Sequence, residues 1–349
     1  MADWAYDAIF YHIYPLGLCG APDKNDFVSA PPYHQPSTTT LLVEHYGTIL
    51  VYMSKPSFQS KVLYIILRLI GWKRYLNRIK ERMESGGKAL HAEPSRKLYE
   101  KHHITIQEVK GHTVWTITPK ENVGAKHIYY LHGGAYVNGF AKQHWQFISN
   151  LVDTLKCTVT APYYPLAPKY HVDNAFAMVF PIYQELLGKA GAANLTVMGD
   201  SAGGGMSLAL AQRLRNEGIE QPSNLILLSP WLDVTMTNPD IQELDKLDPF
   251  LSVQGLKDAG KMYAGEMELT NYLVSPIYGS LEGLAPITLY VGTHDVFAAD
   301  CRKFKAKAAA EGVTIDYHEY EEMVHVWMLL PLPEAKKVAK EIVDKLKRH

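Results

Sequence analysis

The residues of this sequence best suited to chemistry begin at Gly199-Asp-Ser201-Ala-Gly203. A serine hydroxyl is a weak nucleophile unless a neighbour takes its proton and something holds the negative charge that its attack creates. Gly-x-Ser-x-Gly meets the first geometric need, because it fits a sharp strand-to-helix turn that lifts Ser201 clear of a sheet. Side chains at Gly199 and Gly203 would collide with neighbouring backbone in so tight a turn. The apolar run 195–198 precedes the turn, and Met206, Leu210 and Leu214 follow at helical spacing. Gly203, Gly204 and Gly205 would each cost that helix about 1 kcal/mol relative to Ala, so close packing beneath the turn is expected.

Three other segments supply what such a serine needs. In His132-Gly-Gly-Ala-Tyr136, consecutive glycines let a loop aim backbone N–H groups at one point. Gly133 and Gly134, joined by the N–H of Ala202 just after the serine, are the candidate donors to a developing oxyanion. Gly292-Thr-His-Asp295 and Glu321-Glu-Met-Val-His325 offer an acid and a base. An imidazole accepts a serine proton only when an acceptor holds its other nitrogen, which makes His325 the base and Asp295 its partner. Asp300, Asp233 and Asp248 are rival acids. His294 should point away from Asp295, and His144 and His171 read as solvated or structural. Tyr136, Phe140, Trp231 and Tyr263 are candidate walls for an apolar acyl or alcohol group, although core packing explains any one aromatic equally well.

These groups need a sheet to hold them. Strand-like runs fall at 104–109, 113–118, 127–131, 158–161, 195–198, 225–228, 287–291 and 314–320, with helical stretches at 143–155, 172–187, 204–216, 302–311 and 333–347. Such alternation predicts an α/β fold: an eight-stranded, mainly parallel sheet with helices on both faces and a helical cap. The short link Lys110-Gly111-His112 predicts an antiparallel hairpin at its start. The candidate groups then lie at the carboxyl ends of strands, where an open α/β sheet forms its ligand crevice. Residues 1–40 are proline-rich and expected to be irregular. Residues 41–100 form a helical cap segment, with Leu63, Ile66, Leu67 and Ile70 at helical spacing. Residues 101–349 form the catalytic domain, whose insert 231–286 supplies the other half of a lid.

The 349-residue chain has a formal net charge of −1, which gives no electrostatic reason to expect nucleic acid as a partner. A small, neutral substrate suits it better than a highly charged one. Cys19, Cys157 and Cys301 are odd in number, widely spaced and without a CxxC pattern, so neither a disulfide framework nor a metal site is indicated and no cofactor is expected. The opening Met-Ala-Asp-Trp-Ala-Tyr-Asp lacks a basic n-region, and a cytoplasmic location is expected. The apolar stretch 61–72 is interrupted by Arg68 and too short to span a bilayer. Flanked by Lys55, Lys61, Lys73 and Arg74, it reads as a cap helix, with contact to a membrane surface as the alternative.

Two resemblances add to this reading. Ile9-Phe-Tyr-His-Ile-Tyr-Pro15, Gly20-Ala-Pro22 and Asn25-Asp-Phe27 resemble the opening strand and loop of the alpha-amylase family's barrel over about 27 residues. The paired carboxylate motifs of that family do not follow, so a fused fragment without glycosidase activity is expected. From about Ile104 to the C-terminus the chain resembles the hormone-sensitive-lipase-like branch of the α/β-hydrolases, a family of carboxylesterases and lipases. The matching residues are His132-Gly-Gly, Tyr164-Pro-Leu-Ala-Pro168, Gly199-Asp-Ser-Ala-Gly-Gly204, Ser229-Pro-Trp231, Asp248-Pro-Phe-Leu-Ser252, Asp295 and His325, in the family's order. The resemblance implies a Ser201–His325–Asp295 triad, an oxyanion hole from Gly133, Gly134 and Ala202, no metal, and a cap built from the N-terminal helices and the 231–286 insert. Lys169 stands where the family usually has Glu, and Val326-Trp327 where it has Gly-Phe, which bears on cap contacts and acyl pocket shape. The expected activity is a serine carboxylesterase acting on short- to medium-chain esters. An amidase or deacetylase acting on small aryl substrates is the alternative, and a ligand-binding receptor on this fold is disfavoured because such receptors lose the catalytic histidine.

Overall fold

The structure is a computed structural model that describes residues 55–348. The irregular segment expected at 1–40, its amylase-like start and the first part of the expected cap lie outside the described residues. The chain runs in order through α1 (Phe58–Ile70), α2 (Trp72–Asn77), α3 (Ile79–Glu84), α4 (Arg96–Lys101), β1 (His103–Val109), β2 (His112–Thr118), β3 (His127–Leu131), α5 (Lys142–Leu155), β4 (Thr158–Pro162), α6 (Val172–Ala190), β5 (Leu195–Asp200), α7 (Ala202–Asn216), β6 (Asn224–Leu228), α8 (Ile241–Leu247), α9 (Val253–Ala264), β7 (Ile287–His294), α10 (Ala298–Ala310), β8 (Asp316–Val324) and α11 (Pro333–Arg348). Among the described residues no helix is long and apolar enough to cross a membrane.

Eight strands form one sheet in the order β1-β2-β4-β3-β5-β6-β7-β8. β1 and β2 make the expected antiparallel hairpin, β2 is also antiparallel to β4, and β4, β3, β5, β6, β7 and β8 run parallel. A parallel sheet is covered on both faces, and its central strands are accordingly buried from end to end: every residue of β5 and β6 is buried, the polar Thr196, Asp200 and Asn224 among them. β8 outruns its expected end at residue 320 and carries the chain to Val324, next to His325. It is an edge strand, where Glu319, Glu321 and Glu322 can lie outward without breaking the pairing, so their charge is no strand terminator.

The glycines of the serine turn work by close approach. A Cβ on Gly203 would lie 2.0 Å from the Leu131 carbonyl oxygen of β3, and one on Gly199 would lie 2.3 Å from the Gly203 carbonyl oxygen. The turn therefore sits directly on the sheet's backbone, and helix propensity yields to packing.

The N-terminal helices rest on the 231–286 insert. Lys73 of α2 pairs with Asp245 of α8 at 2.7 Å and donates to the Asp248 carbonyl at 3.3 Å, and Arg68 of α1 donates to the Lys246 carbonyl. Ser252, which caps α9 by accepting from the Gly255 N–H at 3.2 Å, donates to Asn77 Oδ1 at 2.7 Å.

Gly203→Ala is expected to destabilise the protein by roughly 1–3 kcal/mol, the usual range for forcing an extra carbon into a packed interior. A lowered denaturant midpoint checks this, and an unchanged midpoint would show that the turn has room to give.

Candidate active site

Ser201 stands between β5 and α7 with φ 53° and ψ −121°, outside the regions a non-glycine residue prefers. Strain of this kind costs about 1–3 kcal/mol and survives only where the surroundings over-determine it. Here the Ser201 N–H donates to the Leu228 carbonyl at 2.8 Å, and the Ser201 carbonyl accepts from Trp231 at 2.9 Å and Gly205 at 3.1 Å.

The hydroxyl meets His325 across the ends of the strands. Ser201 Oγ lies 3.0 Å from His325 Nε2, and His325 Nδ1 donates to Asp295 Oδ2 at 2.9 Å. All three side chains are buried. Asp295 is held in turn by the Phe297 N–H, which donates to its Oδ1 at 3.0 Å. Burial opposes a charged imidazole, yet the Asp295 carboxylate, with Asp248 and Asp200 behind it, outweighs burial and raises His325 above its ordinary range. The rival Asp300 shares no hydrogen bond or ion pair with His325 among the described residues. Its Oδ1 accepts from Asn238 at 2.9 Å, and burial foremost pushes its carboxyl up to about 6. Asp233 accepts from the Tyr278 hydroxyl at 2.9 Å and the Thr235 N–H at 2.9 Å.

The donor loop requires one correction. Gly133 does not offer a free N–H, because that group donates to Asp200 Oδ1 at 3.1 Å. The same carboxylate accepts from the Tyr130 hydroxyl at 2.7 Å and from His144 Nε2 at 3.2 Å, while His144 Nδ1 accepts the Ala141 N–H at 2.7 Å. His144 is thus structural, as expected, and its partner is the residue beside the nucleophile. Burial would raise the Asp200 carboxyl, but His144 and the Tyr130 hydroxyl together hold it below its usual range. Among the described residues no acceptor takes the N–H of Gly134 or Ala135, and Ala202, as the first residue of α7, has none within its helix. Gly134, Ala135 and Tyr136 all have positive φ, at 118°, 54° and 61°, so the loop reverses sharply beside Ser201.

Phe140 also leaves the list of substrate-lining residues. Its ring lies 4.3 Å from Trp145 and 4.4 Å from His132, centre to centre, with Trp115 at 5.8 Å, which makes it part of the packing under the donor loop. Tyr136 stacks on Tyr263 of the insert at 3.6 Å and on Trp231 at 5.6 Å. Trp231 stacks on Phe297 at 5.8 Å, and Phe297 lies edge-on to His325 at 5.1 Å. His171 bonds the Met262 carbonyl at 2.9 Å, and His294 packs near Tyr64, each away from His325.

The α/β-hydrolase fold family matches residues 128–329. The chain belongs to the α/β-hydrolases. It is a carboxylic ester hydrolase of their hormone-sensitive-lipase-like branch. An esterase of Acinetobacter venetianus is 31% identical to it over 225 residues, 62% of this chain and 73% of that protein. An acetyl-hydrolase of Streptomyces hygroscopicus is 30% identical over 199 residues, 57% of this chain and 67% of that protein. The crystal structure of a hormone-sensitive lipase from a metagenome library superposes with a TM-score of 0.72 at 26% identity, covering 83% of this chain and 98% of that one.

Two features of this hydrolase escape a linear reading. Asp248, weighed only as a rival acid, is a clamp: its Oδ1 accepts from Phe250 at 2.7 Å and Leu251 at 2.8 Å, and its Oδ2 accepts from the N–H of Val296, next to Asp295, at 2.9 Å. Burial, then the Asp295 charge, pushes its carboxyl up to about 7. The Asp248-Pro-Phe-Leu-Ser252 motif was its one sequence signal. Val326 occupies a left-handed conformation with φ 45° and ψ 32°, where a glycine would sit unstrained and a β-branched residue does not. Its N–H donates to Ser229 Oγ at 3.3 Å, which ties the histidine loop to the Ser229-Pro-Trp231 segment.

Asp295→Asn is expected to lower kcat on a small ester by about 10⁴-fold, and Asp300→Asn by less than about tenfold. Steady-state kinetics of both variants decide between the two acids, and a collapse confined to Asp300→Asn would reverse the assignment. Asp248→Asn should lower kcat with little change in KM, because the amide keeps only one of the two acceptor oxygens that hold Phe250, Leu251 and Val296 and so loosens the turn that carries Asp295.

Proposed function

We propose that this hydrolase is a serine carboxylesterase that cleaves short- to medium-chain esters through an acyl-enzyme. The single observation that carries the reading is the hydrogen-bonded line from Ser201 Oγ through His325 to Asp295, at 3.0 Å and 2.9 Å. Ser201 attacks the ester carbonyl while His325 Nε2 takes the hydroxyl proton, and Asp295 holds the imidazole in the tautomer whose Nε2 is free to accept. Charge developing on the carbonyl oxygen meets the N–H groups of Gly134 and Ala202, with Ala135 replacing Gly133 as the neighbouring loop donor. His325 then returns the proton to the departing alcohol. Water, deprotonated by the same imidazole, releases the acid.

The acyl preference rests on the walls. Phe297 lies edge-on to His325 at 5.1 Å and stacks on Trp231, which stacks on Tyr136, so apolar rings back the histidine side of the site. An apolar wall favours an uncharged acyl group, in keeping with the acetyl-hydrolase among the relatives.

Ser201→Ala is expected to reduce kcat on p-nitrophenyl acetate by at least about 10³-fold with an unchanged melting curve, because binding and the oxyanion donors retain only part of the rate enhancement. A folded variant with near-normal turnover would end the acyl-enzyme reading. The histidine also sets a pH dependence. His325 must be neutral to accept the proton, and its pKa is raised, so kcat/KM should fall as pH drops with a midpoint above the ordinary 6.5. A midpoint below that value, or a flat profile, would count against a histidine held by Asp295.

A further inference from the structure

Helix α1 is apolar on two sides, and only one of them is used. Ser60, Leu63 and Leu67 face the body of the protein and are buried. Phe58, Ile65 and Leu69 are 73%, 55% and 81% exposed. At the helical period these three share a stripe with half-buried Val62, roughly opposite Leu63 and Leu67. Other exposed large hydrophobics, such as Tyr99, Ile106, Val123, Leu247 and Tyr278, are scattered over separate elements. Isolated apolar residues on a surface are ordinary, whereas a stripe along one helix marks a contact.

Charge says what kind of contact it is. From residue 55 to residue 80 the sequence holds Lys55, Lys61, Arg68, Lys73, Arg74, Arg78 and Lys80 and not one Asp or Glu, in a chain whose net charge is −1. Lys61 and Arg68 fall along one margin of the stripe. Lys55, Lys61, Arg74 and Arg78 are exposed and make no ion pair among the described residues. A second copy of this chain would bring like charges together across a twofold axis, which disfavours self-association. The helix is also anchored from the other end of the chain. Glu334 of α11 accepts from the Ser57 N–H at 2.6 Å and from the Ser60 hydroxyl at 2.8 Å, so the stripe is presented on a fixed support.

We infer that α1 docks this hydrolase onto an anionic phospholipid surface. Phe58, Ile65 and Leu69 enter the boundary between headgroups and acyl chains, and Lys55, Lys61, Arg74 and Arg78 meet lipid phosphates. The interaction is peripheral, because thirteen residues of helix are too few to span the hydrocarbon. It is independent of the acyl-enzyme reading, since none of these residues touches Ser201, His325 or Asp295.

The test uses the full chain and sedimentation with vesicles of phosphatidylcholine, with or without about one third phosphatidylglycerol. The protein is expected to sediment with the anionic vesicles and stay in solution with pure phosphatidylcholine, and raising salt from about 0.1 M to about 0.5 M should release it. Each Lys or Arg near the surface contributes about fivefold, so Lys61→Gln, Arg74→Gln and Arg78→Gln together should lower partitioning by about a hundredfold. Phe58→Ser with Leu69→Ser should abolish binding. Both variants should turn over a small soluble ester like the parent, which shows that they fold. Failure to bind anionic vesicles, equal binding to both vesicle types, or variants that bind like the parent would overturn the inference. A dimer in sedimentation equilibrium that Leu69→Ser disperses would assign the stripe to self-association instead and overturn it equally.

Discussion

The buried carboxylate of Asp200 is the constraint on which the geometry of the site depends. A charge in the interior is tolerated only where hydrogen bonds replace its lost water. Tyr130, Gly133 and His144 provide those bonds at 2.7, 3.1 and 3.2 Å, drawing β3, the donor loop and α5 onto the residue just before the nucleophile. The loop is braced from its other side as well. The His132 ring stacks on Tyr164 at 4.1 Å and 6°, and the Tyr164 hydroxyl donates to the His132 carbonyl at 2.7 Å. With the Gly133 N–H committed to Asp200, the donors that remain belong to the next residues of the loop. In the proposed mechanism, one residue of offset separates the N–H that positions the loop from those that would meet the oxyanion.

A second buried carboxylate does for the acid what Asp200 does for the donor loop. Asp248 belongs to the insert between β6 and β7, yet it receives the N–H of Val296 and so fixes the turn on which Asp295 stands. Lys73 of α2 bonds the Asp248 carbonyl from the N-terminal side. The cap is therefore joined to the Asp295 turn through hydrogen bonds from side chain to backbone, and a movement of the insert would be felt at His325 within a few bonds. The raised pKa of Asp248 belongs to the same arrangement, since two carboxylates this close and this buried resist being charged together.

The surface divides the basic charge unevenly. The helices before the sheet carry seven cations and no acid over 55–80, and the acids that pair with two of them, Asp245 with Lys73 and Glu84 with Lys80, lie outside that segment. Net charge near zero hides this asymmetry, and it is the distribution, not the sum, that determines which surfaces a protein meets.

Much of this was legible in the residues alone. The eight strands and the antiparallel opening follow from local periods and turn residues, because a parallel sheet covered on both faces imposes apolar runs that any window of the sequence reveals, and the meeting of Ser201, Asp295 and His325 follows from their places at strand ends. The packing role of Gly203 was also readable, since a glycine that weakens a helix must be relieving a collision. What only the tertiary structure decided lies in contacts between residues far apart in the chain. The N–H of Gly133 is spoken for by a carboxylate 67 positions away, and Val296 is held by one 48 positions away. Phe140 reads like a substrate wall until Trp145, His132 and Trp115 close around it. Side-chain type and spacing determine which groups are able to react, but which N–H is free and which ring faces a ligand depends on hydrogen bonds and packing that no local pattern encodes.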